Sequence, residues 1–345
     1  MKILITGGAG LVGSHCAEFY AKKKTNKVIV LDNLMRSELF KSKKQSVEFN
    51  WNYLGKYKNI TRIKGDVRNE KDVLKAIGTG VDAVIHTAGQ PGVPSSVRMP
   101  REDFSINAYG TLNVLECLRK KSRKVAFVYC STNKVYGENV DKIALKKLKT
   151  RYVYKNIKGV NESTLTDLTG HTPYGVSKLV GDLYTQEYAH IYGMKTAVFR
   201  MSCIYGQRQF GFEDQGWVAW FIIASLLGKK VTVFGDGKQV RDLLYAEDLV
   251  RAYDCFIQGK QSHTLVNVGG GAKNTISLLE FINKIKDITG KDLKVKFADW
   301  RPSDQKVYVS DIAKAKKILG WQPEISVDQG LLKLGQWAKE NIKIF

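Results

Sequence analysis

The stretch Lys2-Ile-Leu-Ile-Thr-Gly-Gly-Ala-Gly-Leu-Val-Gly13 decides the fold. Ile3 to Thr6 read as a short buried strand, and Gly7, Gly10 and Gly13 follow at GxxGxxG spacing before an amphipathic run. Gly7 closes a tight turn, Gly10 lets backbone approach a pyrophosphate, and Gly13 lets the helix pack on the strand. Leu11 and Val12 lie in the first helical turn, whose free N–H groups and positive dipole end face phosphates. A purely structural turn is the plain alternative. Asp32 argues against it: an acidic residue about 20 positions on, at the end of the second strand, is placed for the ribose hydroxyls of a dinucleotide. With Asn33 beside it, Asp32 would repel a 2′-phosphate, so NAD is preferred over NADP, although Arg36 nearby would suit that phosphate.

Working outward, the same rhythm repeats. Lys2–Thr6, Lys27–Asp32, Ile60–Asp66, Asp82–Ala88, Val125–Ser131 and Thr196–Ser202 read as short, apolar, proline-free strands. Helical patterns lie between them, for example Val12, Cys16, Phe19 and Tyr20, or Ile106, Leu112, Val114, Leu115 and Leu118. The fold class expected is α/β: a doubly wound parallel sheet (Rossmann) with a smaller C-terminal α/β substrate lobe. Residues 1–202, with segments of about 240–268 returning, form the dinucleotide domain; 203–239 and 269–345 form the lobe. Residues 37–58 and 138–160 read as surface insertions. Ligands bind outside the carboxyl ends of such strands. There Asp66, in Gly65-Asp66-Val67, is placed for an adenine amino group. In His86-Thr-Ala-Gly-Gln90, Ala88, Gly89 and Gln90 let a loop run close to the dinucleotide.

Composition narrows the class. The five cysteines (Cys16, Cys117, Cys130, Cys203, Cys255) are scattered without CxxC or Cys/His ligand spacing. Neither a disulfide framework nor a metal site is expected, and a reducing, cytoplasmic setting fits. No signal peptide is read before the first strand, and the longest apolar run, Val218 to Leu227, is too short for a bilayer. The net charge of +22 is high, with lysines such as Lys41, Lys43, Lys44, Lys146, Lys147 and Lys149 spread over loops and helix faces. No aromatic RNA-binding motif or arginine-rich arm accompanies them. A solvated surface is expected, with no nucleic acid and no membrane partner.

Chemistry enters at Tyr174-Gly-Val-Ser-Lys178, which opens a helix. Residues four apart share a helix face, so phenol and ammonium can flank one ligand. A tyrosine at its ordinary pKa of about 10 is a poor base. A lysine cation and an oxidised nicotinamide are expected to favour phenolate. Cys130-Ser-Thr-Asn-Lys-Val-Tyr-Gly137 puts hydroxyls at the end of the fifth strand. Thr132 is the candidate to bond the reacting sugar oxygen, with Ser131 nearer the nicotinamide.

GxxGxxG, the strand-end hydroxyls and YxxxK together resemble the extended short-chain dehydrogenase/reductase superfamily, which includes nucleotide-sugar epimerases and dehydratases. The resemblance runs over nearly the whole chain. Asn107-Ala-Tyr-Gly-Thr-Leu-Asn113 is similar to the helix that braces the site, which implies a supporting role for Asn107. It also implies Tyr174 as base and Lys178 as both its partner and a ligand of the nicotinamide ribose. Several segments resemble the CDP-paratose (CDP-tyvelose) 2-epimerases in particular: Ser131–Gly137, His171–Lys178, Arg200–Gly206, Arg208–Gly211, Glu213–Trp220 and Trp300–Gln305. This resemblance places Met201 at the cofactor. It places Asn133, Ser202, Cys203, Arg208, Gln215, Trp217 and Val233 at the sugar nucleotide. It gives the diphosphate to Arg241 and Arg301, with Asp304 close by. Guanidinium suits phosphate through paired hydrogen bonds; a surface salt bridge, Arg301 with Asp304 for instance, is the plain alternative. Ser303 stands after Pro302 where the motif usually has glycine, and Cys203 where 4-epimerases commonly have asparagine.

Dehydratases of this superfamily carry an Asp-Glu pair after the strand-end hydroxyl. Asn133-Lys134 stands here, and an amide cannot serve as a general acid, so dehydration is disfavoured. The implied reaction is epimerisation through a transient 2-keto sugar, in a pocket closed to water and with NAD retained. The alternatives are a UDP-sugar 4-epimerase, a net nucleotide-sugar oxidoreductase, and a non-enzymatic basic binding protein. The superfamily's habit implies a homodimer through the helices Ile106–Leu118 and Tyr174–Ile191.

Overall fold

The computed structural model describes residues 1–39, 45–121, 124–301 and 304–345. Lys41, Lys43, Lys44, Pro302 and Ser303, singled out above, lie outside the described residues. Five strands open the chain: β1 (Lys2–Thr6), β2 (Lys27–Asp32), β3 (Ile60–Lys64), β4 (Ala83–His86) and β5 (Ala126–Thr132). With Thr196–Met201 and His263–Val268 they form a seven-stranded sheet. Its order from one edge is β3, β2, β1, β4, β5, Thr196–Met201, His263–Val268. The pairings of β1 with β2 and β4, of β2 with β3 and of β4 with β5 are all parallel. The chain starts in the middle of the sheet and winds both ways, so the order reverses between β1 and β4, where doubly wound sheets bind their ligands. Residues 28–31 of β2 and all of β5 are buried, as continuous apolar strands covered on both faces must be.

The chain divides into two compact units: residues 1–135, 172–200 and 250–266, and residues 136–171, 201–249 and 267–345. This differs from the sequence-based boundaries at two places. Residues 136–171 belong to the second unit, where Leu145–Lys147 pairs with Tyr152–Tyr154 and Tyr152 is buried. Val240–Tyr245 does not return to the large sheet. It pairs with Cys203–Tyr205, Thr275–Ser277 and Val307–Tyr308. His263–Val268 does return.

Two other expectations change. The reading of 37–58 as a surface insertion misses helix Gln45–Leu54, which buries Val47, Asn50 and Leu54. Phe19 is exposed, while Cys16 and Tyr20 of the same helix are buried.

Candidate active site

Helix α1 (Leu11–Lys22) begins at Gly10 without a side-chain cap and without an acidic residue in its first turn. Its terminal N–H groups and dipole are therefore left for an external anion. The glycines differ in what they tolerate. Gly7 sits at φ 71°, and a Cβ there would lie 2.6 Å from the backbone of Ala88. At Gly13 a Cβ would lie 2.3 Å from the Gly7 carbonyl oxygen; at Gly8, absent from the motif reading, 2.3 Å from a Val30 methyl. A Cβ on Gly10 meets only the Gly7 oxygen, at 3.2 Å, and otherwise faces open space. Gly7, Gly8 and Gly13 thus build the turn, and Gly10 keeps its outer side clear. This cradle fits a dinucleotide pyrophosphate.

Asp32 accepts from the backbone N–H of Ala9 at 2.9 Å and of Leu34 at 2.8 Å, so it also ties the glycine loop to β2. Burial raises its pKa, against those two bonds. Asp66 is held by Asn33 Nδ2 at 2.9 Å and by Arg68, whose Nε and Nη2 donate at 3.0 and 2.7 Å. Burial alone would raise its carboxyl; the Arg68 and Asn33 bonds hold it below the usual range. Arg68 also reaches Glu102 at 2.8 Å, a clamp the sequence did not reveal. Asn113 Nδ2 donates to the Val67 carbonyl at 2.6 Å.

The loop after β4 is fixed by Asn107. Its Oδ1 accepts from Gln90 N at 2.8 Å, and its Nδ2 lies 3.1 Å from Gln90 O, Asp103 Oδ1 and Ser177 Oγ. Asn107 lies in a π-helical turn, Ser105–Tyr109. Such turns mark functional sites, because the extra residue re-aims a side chain. Gly89 leaves room, since a Cβ there would lie 3.0 Å from Asn107 Oδ1.

Helix Pro173–Tyr192 starts at Thr172, which accepts from Gly175 N at 3.3 Å, with Pro173 at its first position. These caps set Tyr174 and Lys178 on consecutive turns. Burial pushes the Tyr174 phenol up to about 12, opposed by a hydrogen bond with Thr132. Burial pushes Lys178 down to about 8. Burial is the largest influence on the phenol, and the hydrogen bond that lowers it comes from Thr132. Ser131 faces inward. Its hydroxyl donates to Asp182 at 2.7 Å, and Asp182 is paired with Arg200 at 2.9 Å, all three buried. Any approach of Ser131 to a nicotinamide is therefore left to its backbone.

In the second unit, Arg241 Nη2 donates to Asp304 at 2.7 Å. Arg301 pairs with Asp214 at 3.5 Å, not with Asp304, and its guanidinium lies 3.8 Å over the Phe234 ring. Burial pushes the Cys203 thiol up to about 12, with Trp217 and Arg241 acting the other way. Gln215 and Phe212 exchange backbone hydrogen bonds at 3.0 Å. Arg208 is buried at φ 63°, the kind of backbone strain that persists where the surroundings over-determine a residue. Two of the expected substrate residues have their side chains packed inside the second unit. Val233 is fully buried, because strand Lys230–Phe234 alternates and turns Thr232 and Phe234 to the other face. Ser202 spends its hydroxyl on buried Asp242, which also accepts from Ser310 N and Gly271 N at 3.1 Å. Met201 ends its strand, and Asn133 follows Thr132 into a 3₁₀ segment, accepting from Thr132 Oγ1 at 3.3 Å.

Residues 3–269 match the description "NAD dependent epimerase/dehydratase family". The chain belongs to that family. Its cofactor is NAD, and its reaction class is epimerisation of a nucleotide-linked sugar. It is 39% identical to a CDP-paratose 2-epimerase of Salmonella typhi, over 98% of this chain and 99% of that one. It is 31% identical to a UDP-glucuronate 4-epimerase of Thermodesulfobacterium geofontis, over 99% and 97%. Among solved structures, it resembles the UDP-glucuronic acid 4-epimerase of Bacillus cereus in complex with UDP-glucuronic acid and NAD. There the TM-score is 0.82 and identity 27%, covering 99% and 100%. Among the described residues no cluster of His, Cys, Asp or Glu could hold a metal, and no helix is long and apolar enough to cross a membrane.

Several groups at the site carried no sequence signal. Asp103 is a buried carboxylate beside Gln90 and Asn107, and burial raises its pKa. Nothing in Arg-Glu-Asp-Phe distinguishes it from a solvent-facing helix residue. Asp182 likewise looks like an ordinary polar helix position; only the inward hydroxyl of Ser131 and Arg200 at a strand end could have pointed to it.

Proposed function

We propose that the enzyme inverts carbon 2 of a CDP-linked sugar, interconverting CDP-paratose and CDP-tyvelose. The observation that carries the choice of nucleotide and carbon is the 39% identity, end to end, with a CDP-paratose 2-epimerase. In this reading Gly7, Gly10, Leu11, Val12 and Gly13 hold the pyrophosphate and Asp32 the ribose hydroxyls. Asn33, Asp66, Val67, Ala88, Gly89 and Gln90 line the adenosine side and the path of the dinucleotide, with Met201 at its nicotinamide end. When bound, NAD supplies the two-electron acceptor that makes the sugar carbon a ketone and the donor that restores the alcohol.

The protein's own residues move the proton. Tyr174, as phenolate, takes it from the substrate hydroxyl as the carbonyl forms, and Thr132 turns its one hydroxyl proton from Asn133 Oδ1 to the forming ketone oxygen. Lys178 holds the nicotinamide ribose and places positive charge beside Tyr174, whose phenol lies well above neutrality from burial. After the sugar turns over, Tyr174 returns the proton. Asn133, Arg208, Gln215, Trp217 and Cys203 shape the sugar-nucleotide site, and Arg241 and Arg301 neutralise the diphosphate, replacing Asp304 and Asp214.

The second reading, 4-epimerisation of a UDP-sugar, draws on the relatives at 31% and 32%. Incubating the protein with CDP-, UDP- and GDP-sugars, and following inversion at each carbon by NMR, separates the two. Inversion at carbon 2 of a CDP-sugar is expected; inversion at carbon 4 of a UDP-sugar alone would replace this reading. The assembly is read as a homodimer: Val97, Phe104, Tyr109, Val176, Leu183, Tyr184 and Ile191 are large apolar residues left exposed on the first unit's helices. The free cysteines fit a cytoplasmic setting.

A further inference from the structure

A buried row of side chains lies behind Lys178 that the reaction above does not use. Thr6 stands opposite His86 in register, and His86 opposite Tyr129, so the three share one row at the carboxyl edge of the sheet. Thr111 Oγ1 donates to the Asn107 carbonyl at 2.6 Å, so at 3.0 Å it can only accept from His86 Nε2. Nε2 therefore carries a proton, and in the neutral ring Nδ1 accepts from Thr6 Oγ1 at 2.7 Å. Burial, which pushes this histidine down to about 3, agrees. The fixed ring lies near-parallel to Tyr129, with centroids 6.0 Å apart and an interplanar angle of 20°.

Tyr129 in turn meets Lys178 twice. The lysine Nζ lies 4.2 Å from the centroid of the Tyr129 ring, and the tyrosine hydroxyl donates to the Lys178 carbonyl at 3.1 Å. Helix Pro173–Tyr192 makes room with Gly181, where a Cβ would lie 2.3 Å from that hydroxyl. Lys178 makes no ion pair with a described residue. Asp182 is committed to Arg200 and Ser131, and Asp103 Oδ1 to Gln90 and Asn107. The other titratable groups facing it are Cys130 on β5 and His86 on β4, with Tyr174 one turn earlier on its own helix.

We propose that Tyr129 is the positioning residue for Lys178: its ring face seats the ammonium. This rests on the reading of Lys178 as the partner of Tyr174. A desolvated ammonium gains more from a ring face than an exposed one does. Here that gain offsets part of the burial that discharges the lysine.

The test compares Tyr129→Phe, which keeps the ring, with Tyr129→Leu, which removes it. In the ¹⁵N-lysine-labelled protein without substrate, the Lys178 side-chain signal, identified by its loss in Lys178→Met, is expected upfield from the ring current. It stays there in Tyr129→Phe and moves downfield in Tyr129→Leu. In parallel, the alkaline midpoint of kcat falls by about one pH unit in Tyr129→Leu but not in Tyr129→Phe. A folded Tyr129→Leu protein that keeps both signal and midpoint overturns the proposal. Should that variant fail to fold, an unshifted Lys178 signal in the unmodified protein does the same. Tyr174→Phe reports on the underlying reading separately: full activity there would sink that reading while leaving the Lys178 signal to be judged by itself.

Discussion

Gly10→Ala separates cofactor binding from folding. Gly10 has φ −75° and ψ 175°, a conformation alanine adopts without strain. Replacing glycine at such a position stabilises by about 0.4–1 kcal/mol through the unfolded chain. The single close contact, 3.2 Å to the Gly7 oxygen, offsets part of that. The net change is within about 1 kcal/mol, a Tm shift of about 2 °C for a chain this long. The new methyl, however, occupies the open side where a pyrophosphate would meet backbone N–H groups. A charge-assisted hydrogen bond contributes about 1.5–3 kcal/mol, so NAD affinity should fall on the order of 10–100-fold. Gly7→Ala is the control that behaves otherwise. Its left-handed backbone alone costs about 1–2 kcal/mol, and its Cβ meets Ala88 backbone at 2.6 Å, so stability falls too. Melting is measured on cofactor-stripped protein, because bound NAD would itself raise Tm. Affinity is measured by calorimetry and retained NAD by absorbance of an acid extract. Wild-type NAD retention by Gly10→Ala would refute the reasoning.

Three further outcomes follow from the same geometry. Asp182→Ala removes the buried carboxylate that pairs with Arg200 and accepts from Ser131, and should destabilise by about 3–5 kcal/mol in denaturant titration. Arg241→Ala should raise KM for the nucleotide sugar about tenfold or more with a smaller effect on kcat, since it acts on the bound diphosphate and not on the reacting carbon. Because burial sets Lys178 at about 8, its ammonium is present below that pH and lost above it. The pH–rate profile should therefore fall through about 8, and Lys178→Arg, always charged, should abolish that limb while altering the absolute rate.

What the sequence revealed and what it hid divide along physical lines. Strand β1, the glycine turn and helix α1 were legible because buried parallel strands are continuously apolar and the turn demands glycine. The alternation of strand and helix made the parallel sheet legible, whereas the order of its strands is read only from their pairing. The fate of Val240–Tyr245 was not legible, since its apolar pattern suits any buried strand and only its partners, Cys203–Tyr205 among them, assign it to the second unit. The burial of the Val233 side chain was not legible, because a shift of one residue in a strand exchanges faces: its neighbour Phe234 lies under Arg301. The pairing of Arg241 with Asp304, and of Arg301 with Asp214, was hidden because ion-pair partners far apart in the chain leave no periodic trace. Tyr129 was hidden for a different reason. An aromatic residue inside an apolar strand reads as core, which it also is.

The central claim is that this protein inverts a sugar carbon by transient oxidation with a retained NAD, using Tyr174 to move the proton. The most direct measurement gives the protein, without added NAD, CDP-paratose carrying deuterium on carbon 2 and follows the products by NMR. The account predicts CDP-tyvelose with its carbon-2 deuterium retained, no free NADH, and no product from Tyr174→Phe protein that is folded and loaded with cofactor. Wash-out of the label into water, or undiminished turnover by Tyr174→Phe, would contradict it.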